Sequence, residues 1–317
     1  SQDIKVNKGT KRIGIPISLG GYWNIVPVDT TLIMCEGKPL LSTSIKGELW
    51  PHYLEKAYLK AIGDNYSVFR KTKSIMQTVK DLINTPASEL YFKQLKFTPD
   101  QLKIVLLNLL SNGFIATVSI EGEYSEDKST GLYRGVPYNI TDSIDTPGVK
   151  DGELFALRLP HLPFHNPHRF MDNKGAAMSR GLISNEDLKN DDRFLMKAKE
   201  IHDNFEILNI YRVHSDYEQI SLRLEGVPKP FMFFELDVHF RTVAYIQFSQ
   251  EEAFEANSSL SQSEYARLSI NLFQKVRSGE DSLCQMYSNY SLCSRDIWVK
   301  VDFEPGNYFL IVSKVVT

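Results

Sequence analysis

Three cysteines carry the most reactive side chains of this sequence. Cys35, Cys284 and Cys293 are odd in number, and their spacing matches neither a disulfide framework nor a zinc site. A thiol acts as a nucleophile only where a neighbouring base takes its proton and a third group orients that base. The sequence around Cys35 implies no helix N-terminus that would activate its thiol. We therefore interpret Cys35 as an inert, small apolar residue, and the cysteine usage as that of a reducing compartment.

The histidines at 161, 165 and 168 form the one cluster that invites a metal ion, because imidazole is the commonest metal ligand. Prolines at 160, 163 and 167 prevent the helical face on which the three rings could converge, and no carboxylate stands at a matching spacing. The chain also lacks the GxSxG, GxxxxGK[ST] and HExxH motifs. The sequence therefore predicts no metal centre here and no catalytic site of those three classes.

Composition excludes further classes of function. The chain has 317 residues with a formal net charge of -3, and both signs of charge are spread along it, so no basic face for nucleic acid is predicted. No apolar run approaches the roughly 18 residues that a membrane-spanning helix needs. A length of this size corresponds to about two average domains with a sizeable core.

The first half of the sequence alternates strand and helix patterns. A capping box at Thr98-Pro-Asp-Gln101 predicts a helix over residues 99–110, and Gly113 supplies its stop. Apolar residues at spacings of three and four predict another helix over residues 49–61. A third, short helix is predicted over residues 197–204, and residues 160–192 are predicted to form a long irregular loop. The predicted strands are residues 22–28, 39–44, 114–120, 136–144 and 154–159, and a charged turn is predicted over residues 121–128.

After Phe205 the pattern changes to short runs that are rich in β-branched and aromatic residues. Turn signals such as Glu304-Pro-Gly-Asn307 separate these runs, which favours an antiparallel sandwich. We therefore predict a domain boundary near residue 205. The strands predicted beyond it are residues 219–224, 231–240, 242–248, 267–274, 297–303 and 308–315.

Four segments, in order, resemble the calpain family of cysteine proteases. GYWNIVPVD at residues 21–29 is similar to the strand that leads into the family's VDDRLP segment, and GELWPHYLEKAY at 47–58 to its ELWP…LLEKAY helix. TGLYRGVPYNI at 130–140 aligns with the TGL…GHAYSV strand, and LRLPH at 157–161 with LRNPW. YSLCSR at 290–295 and EPGNYFLIV at 304–312 are similar to the end of the family's C2-like sandwich.

The resemblance fails at the positions that would do the chemistry. Where the family has the histidine before AYSV, this sequence has Val136, and where it has the asparagine before PW, this sequence has Leu159. His161 replaces the tryptophan. The family's nucleophilic cysteine belongs to an earlier, GDCW-type segment, and we expect this chain to begin after it. The resemblance therefore implies degenerate catalytic positions and a pseudoprotease.

The resemblance also points to calcium as a ligand to consider. Asp145, Asp172, Asp191 and Asp192 flank the stretch that forms a calcium loop in calpains, so carboxylate ligands for Ca²⁺ are conceivable. Solvated loop charge is the favoured interpretation, and we predict no cofactor.

Together these observations predict an α+β chain with a calpain-like protease subdomain followed by an antiparallel C2-like β-sandwich. Residues 1–33 would be remnant strands of the first protease subdomain, 34–204 the second protease subdomain and 205–317 the sandwich. The predicted function is a non-catalytic interaction or scaffold module, with protein partners, in a cytoplasmic and conceivably cytoskeletal assembly. The alternative is a fragment of a calcium-dependent cysteine protease whose first subdomain is supplied elsewhere. Peripheral contact with acidic lipid through Arg212 and His214 is conceivable but disfavoured for a net acidic chain.

Overall fold

The computed structural model describes residues 11–35, 38–39, 42, 47–63, 75–145, 153–159, 167, 193–224, 231–250, 266–278, 280–291 and 295–315. The chain divides into two compact units. Unit 1 comprises residues 1–74, 81–86 and 219–317, and unit 2 comprises residues 75–80 and 87–218. No helix among the described residues is long and apolar enough to cross a membrane.

Up to residue 211 the described elements are a mixture of strands and helices, and the described elements beyond it are strands. The helices of the described residues are α1 (Trp50–Ala61), α2 (Ile75–Ile83), α3 (Phe92–Leu95), α4 (Pro99–Ser111) and α5 (Ala198–Asn204). The strands up to residue 211 are β1 (Arg12–Leu19), β2 (Tyr22–Asp29), β3 (Met34–Cys35), β4 (Lys38–Pro39), β5 (Ala87–Tyr91), β6 (Ile115–Ser119), β7 (Ser125–Asp127), β8 (Leu132–Arg134), β9 (Pro137–Ile144), β10 (Leu154–Arg158), β11 (Arg193–Lys197) and β12 (Ile207–Tyr211). The later strands are β13 (Phe231–Val238), β14 (Thr242–Ser249), β15 (Arg267–Ser278), β16 (Glu280–Ser291), β17 (Asp296–Phe303) and β18 (Gly306–Val315).

Unit 2 is built on one antiparallel sheet of six strands in the order β11-β10-β9-β6-β12-β5. Alternate residues of these strands, such as Val118, Leu157 and Leu208, join residues of α4 and α5 in a single hydrophobic cluster. The sheet therefore buries one face beneath helices, which is the usual way for an antiparallel sheet to form a core.

Helix α4 shows how local sequence sets these elements. Thr98 Oγ1 accepts a hydrogen bond from Gln101 N at 3.3 Å, and Gln101 Oε1 accepts one from Thr98 N at 3.0 Å. This pair is the predicted capping box, and Pro99 occupies the first turn. At the other end Gly113 has a φ of 69°, which is the left-handed conformation that glycine adopts without strain. The structure therefore confirms the predicted helix almost to the residue.

The N-terminal part of unit 1 is a hairpin packed on a helix. β1 and β2 pair along their whole length, and Gly20 and Gly21 turn the chain between them with φ of 62° and 78°. Two consecutive positive φ values at the turn suit glycine, and a two-residue turn of this kind fixes the register. The hairpin buries Ile17 and Val26 against Tyr58 of α1. The predicted strand at 22–28 is thus paired by a strand that sequence did not predict.

The C-terminal part of unit 1 consists of two antiparallel sheets that share one core. One sheet has the order β13-β18-β15-β16 and the other consists of β14 and β17. Leu272 and Leu310 of the first sheet lie in the same hydrophobic cluster as Val299 and Val301 of the second. The predicted α+β class with antiparallel sheets is therefore the class observed.

Three predictions differ from the structure. Residues 219–224 form no strand, and Ile220 and Leu222 are exposed there. The predicted charged turn contains β7, which pairs with β8. Of the strand predicted at 39–44, the described residues show only Lys38–Pro39. The compact unit 2 runs to residue 218, because β12 pairs with both β5 and β6 inside the six-stranded sheet, and the predicted domain boundary near residue 205 stays a prediction. The predicted loop at 160–192 lies outside the described residues, except for Pro167.

Candidate functional site

The two positions that the resemblance assigns to the catalytic base and its orienting residue lie at one end of neighbouring strands. Val136 directly precedes β9, and Leu159 directly follows β10. The antiparallel register pairs Arg158 with Asn139. Continued by one residue, it places Leu159 beside Tyr138, with Val136 two residues away along the same strand face. The fold therefore brings together the two positions that sequence singled out.

Both side chains belong to the hydrophobic core of unit 2. Leu159 is 1% exposed and Val136 is half-buried, and both contact the same apolar cluster. An aliphatic side chain neither takes a proton nor donates a hydrogen bond. Val136 therefore cannot act as a base, and Leu159 cannot orient one. In the described part of the chain, both side chains contribute packing to this end of the two strands.

Tyr138 adds a hydroxyl group to the same cluster, but it is held in a structural role. Its side chain is fully buried, and its hydroxyl oxygen accepts a hydrogen bond from Tyr133 N at 2.7 Å. Its ring packs edge-on against Phe194 and Phe205, with centroids 5.8 and 5.3 Å away. Burial raises the pKa of Tyr138, so the phenol stays protonated at neutral pH and supplies no base.

The cysteines all fall in the sequence of unit 1. Unit 2, which holds Val136 and Leu159, contains no cysteine. Cys35 ends the short strand β3, which pairs with β4. Cys284 is an exposed free thiol on β16, and Cys293 lies outside the described residues. No thiol therefore lies within the unit that carries the two degenerate positions.

Most residues considered as metal ligands lie outside the described part of the chain. This applies to the histidines at 161, 165 and 168 and to the aspartates at 172, 191 and 192. Asp145 is described, and it is exposed just beyond the end of β9. Within the described ranges no group of three or more histidine, cysteine, aspartate or glutamate side chains could hold a metal ion.

A row of polar side chains crosses the opposite face of the same sheet, and sequence analysis missed it. In this row Asn209 pairs with Thr117 on one side and with Glu89 on the other, and Asn209 Nδ2 donates to Thr117 Oγ1 at 3.5 Å. Burial raises the pKa of Glu89. The available signal was one polar residue near the centre of each apolar strand. Because the strands are far apart in sequence, only the register aligns the members: Glu89, Asn209, Thr117, Asn139, Arg158 and Arg193.

A surface hollow of about 360 Å³ in unit 2 is lined by Tyr91, Lys93, Gln94, Glu121 and Glu206. Two of its charged side chains, Lys93 and Glu206, are paired with each other. Lys93 Nζ lies 3.3 Å from Glu206 Oε1, and Glu206 Oε2 accepts a hydrogen bond from Glu121 N at 2.9 Å. That backbone hydrogen bond lowers the pKa of Glu206, and burial raises the pKa of Tyr91 to about 12. The tyrosine of the hollow is therefore not an activated nucleophile, and Glu206 is held in its charged form by its partners.

The chain is similar to known proteases in sequence or in structure. No curated protein matches the chain. Among solved structures, the chain is similar to an alanine-substituted form of the clostridial cysteine protease Cwp84 after propeptide cleavage, with 10% identity and a TM-score of 0.24. That similarity covers 73% of this chain, which spans 55% of the clostridial chain. A model of the calpain family of cysteine proteases matches residues 14–212. Because that match covers more than half of the sequence, the chain belongs to the calpain family of cysteine proteases.

Proposed function

We propose that this chain is a non-catalytic member of its family that works by binding other proteins. The observation that carries the proposal is the pair of aliphatic residues, Val136 and Leu159, where the resemblance assigns the base and its orienting residue. They lie on neighbouring strands of one sheet, and both pack into its core. Their position on neighbouring strands, with side chains that cannot react, supports a family member without catalysis.

The size of the chemical loss supports this proposal. A cysteine nucleophile depends on a base to form the thiolate and on a further group to hold that base in place. Losing one member of such a set costs a factor of about 10⁴ to 10⁶ in rate, and the losses are not additive. With both positions aliphatic, the residual rate is expected to be close to that of the uncatalysed reaction.

The packing suggests why the subdomain would be retained without its chemistry. A buried histidine or asparagine needs hydrogen-bond partners, whereas valine and leucine stabilise the sheet by burial alone. Apolar residues at the catalytic positions therefore favour a role of the subdomain as a rigid support. The two-sheet part of unit 1, for which we propose a C2-like identity, would then present surfaces for protein partners.

We place this function in the cytoplasm, within a larger assembly that could be cytoskeletal. Support comes from an odd set of cysteines with no disulfide pattern and from the mixed surface charge. Neither nucleic acid nor a cofactor enters the proposal, and calcium is not favoured.

The second candidate is a piece of a calcium-dependent cysteine protease whose nucleophile comes from elsewhere. Membership of a protease family favours it, as does the absence of cysteine from unit 2. Against it stand the two aliphatic positions, since a supplied thiol would still lack a base.

One experiment separates the two candidates. The tagged chain is used to capture its native complex, which is cross-linked and mapped, and the same complex is assayed on casein with and without Ca²⁺. We expect reproducible cross-links to a partner and no turnover. Turnover by the complex, together with a cross-link from a partner's cysteine segment to residues near Val136 or Leu159, would support the protease fragment instead.

A further inference from the structure

Strand β13 lies at the edge of the four-stranded sheet in unit 1. One side of it pairs with β18 at eight positions, from Phe231 opposite Ser313 to Val238 opposite Gly306. Within the described part of the chain, no strand pairs with its other side. An unpaired strand edge leaves a row of backbone N–H and C=O groups that can bind another extended segment.

The hydrophobic core is also open along this edge. Met232, Phe234 and Leu236 point into the core but stay half-buried, whereas their partners on β18 are buried. Leu310, for example, is 3% exposed opposite Phe234. A further strand beside β13 would cover these side chains and gain the free energy of burying apolar surface.

The outward face of β13 has two different halves. Phe231 and Phe233 are 53% and 71% exposed, and Glu235 and Asp237 follow them as exposed carboxylates. The residues opposite them on β18 are Ser313, Ile311, Phe309 and Asn307, none of which is basic.

Neighbouring cations do not remove this negative charge. His239 Nε2 lies 3.9 Å from Asp237 Oδ2, and it carries charge only when protonated. Arg241 lies closer to other acids, with Nη2 2.8 Å from Asp302 Oδ2 and Nε 3.5 Å from Glu304 Oε1. Glu235 forms no ion pair with a described residue.

We propose that the free edge of β13 binds an extended segment of a partner protein as an added antiparallel strand. Read from its N-terminus, the partner's outward residues would be basic, basic, aromatic and aromatic at alternate positions. The residues between them would be apolar, because they would face the open core. This surface deepens the proposed function and rests on it, since a binding module needs a surface on which to bind.

The same pattern argues against two other occupants. A second copy of β13, paired antiparallel in the register that keeps the outward faces together, would put Phe231 opposite Asp237 and Phe233 opposite Glu235, so neither carboxylate would gain a cation. An anionic lipid surface would be repelled by Glu235 and Asp237 beside the two aromatic rings. A partner strand with two basic and two aromatic residues matches both halves of the outward face of β13.

A labelled peptide tests the surface on the full chain. The probe is Lys-Val-Lys-Val-Phe-Val-Tyr between Gly-Ser flanks, and one control replaces both lysines with glutamate. A second control has proline at the central valine, which removes a backbone donor and breaks strand pairing. We expect fluorescence anisotropy to show binding of the basic peptide about tenfold tighter than of either control.

Matched variants locate the binding. Phe233→Ser should weaken the basic peptide about tenfold, while Phe240→Ser, which changes another exposed phenylalanine, should not. Glu235→Lys with Asp237→Lys should transfer preference to the acidic peptide. The same charge change in unit 2, Glu123→Lys with Glu126→Lys, should leave preference unchanged. Hydrogen exchange should show protection of β13 amides on binding, while amides of the central strand β15 stay unchanged.

The inference is wrong if the peptides bind equally, if either β13 variant behaves like its control, or if anionic vesicles bind better than the basic peptide. Self-association that Phe233→Ser abolishes would also overturn it, in favour of a second copy. Failure here is distinguishable from failure of the proposed function. If the chain is inactive and does not bind the peptide, only the proposal for the β13 edge is wrong. If the chain cleaves casein, the non-catalytic function itself is wrong.

Discussion

The end of the sheet at Val136 and Leu159 and the edge of the sheet at β13 are opposite cases. At the first, residues that resemblance places in a catalytic site are aliphatic and contact the core of unit 2. At the second, core-facing residues such as Phe234 stay half-buried, and two exposed carboxylates lack a strong cationic partner. The comparison teaches that resemblance to a family can point to positions whose side chains only pack, whereas the strand order reveals an edge that no local motif marks.

The largest expected effect concerns a buried ion pair in unit 1. Arg295 Nη1 lies 2.8 Å from Asp81 Oδ1, and Tyr58 donates a hydrogen bond to Asp81 Oδ2 at 2.8 Å. Both charged side chains are almost fully buried. We expect Arg295→Met to lower the free energy of unfolding by about 3 to 5 kcal/mol, because it leaves a buried carboxylate without its cation. Urea denaturation measures the change.

The matched control is Arg241→Met, which breaks an exposed pair with Asp302 and should leave the urea midpoint unchanged. Adding Asp81→Leu to Arg295→Met should recover part of the loss, since the Asp81 carboxylate is then gone, while the buried Asp296, whose Oδ2 lies 3.0 Å from Arg295 Nε, keeps its charge. Equal effects of the buried and exposed variants would mean that the interior of unit 1 is as open as its β13 edge.

The next effect compares the two regions directly. Leu159→Ala removes a buried side chain from the core of unit 2, so it should lower the free energy of unfolding by about 3 kcal/mol. Phe233→Ala removes a larger but exposed ring, and it should change that free energy by no more than about 0.5 kcal/mol. Urea midpoints of the two variants test this order. A costly Phe233→Ala would show that the ring is already covered.

The smallest effect concerns an exposed ion pair and depends on pH. Lys56 Nζ lies 2.6 Å from Asp29 Oδ1, and its hydrogen bond lowers the pKa of Asp29 from 3.8 to about 2. A lowered carboxyl pKa stabilises the folded state above the unfolded value, and this contribution is lost as pH falls from about 4 through about 2. Because both side chains are more than a third exposed, we expect a contribution of less than about 1 kcal/mol.

The measurement compares wild type with Lys56→Met by thermal unfolding. At pH 5 wild type should be slightly more stable, and the difference should shrink as pH falls toward about 2 and vanish only below it. A difference that grows toward low pH would reverse the sign and show that the pair does not hold the carboxylate in its charged form.

Elements set by local contacts were predictable, and those set by distant pairing were not. Helix α4 followed from its capping box and glycine stop. Strand β1 was not predicted, because it contains Gly14 and Pro16 and both residue types are uncommon in strands. Glycine has a packing reason at position 14, since a Cβ there would lie only 2.6 Å from Ile25 Cγ2 across the hairpin. Residues 219–224 have a strand pattern, but no strand in the described part of the chain pairs with them. β12 belongs to unit 2 because it pairs with strands about 90 to 120 residues earlier.

The site divides in the same way. Motif position identified Val136 and Leu159, because both lie within segments that resemble the family. That the two pack into one cluster depends on the register between β9 and β10, which no local pattern contains. The open edge of β13 depends on the order of four strands, so it could not be predicted from the alternation within β13 alone.

Peptidase turnover by the purified full chain tests the central claim most directly. The chain, Val136→Ala and the matched core variant Val105→Ala are assayed on casein and on fluorogenic calpain-type peptides, with and without Ca²⁺. Both valines are half-buried against the same cluster, so they control for each other. The account predicts no turnover above the blank for any of the three proteins. Turnover that Val136→Ala abolishes and Val105→Ala preserves would contradict it, because it would show that this end of the sheet still does chemistry.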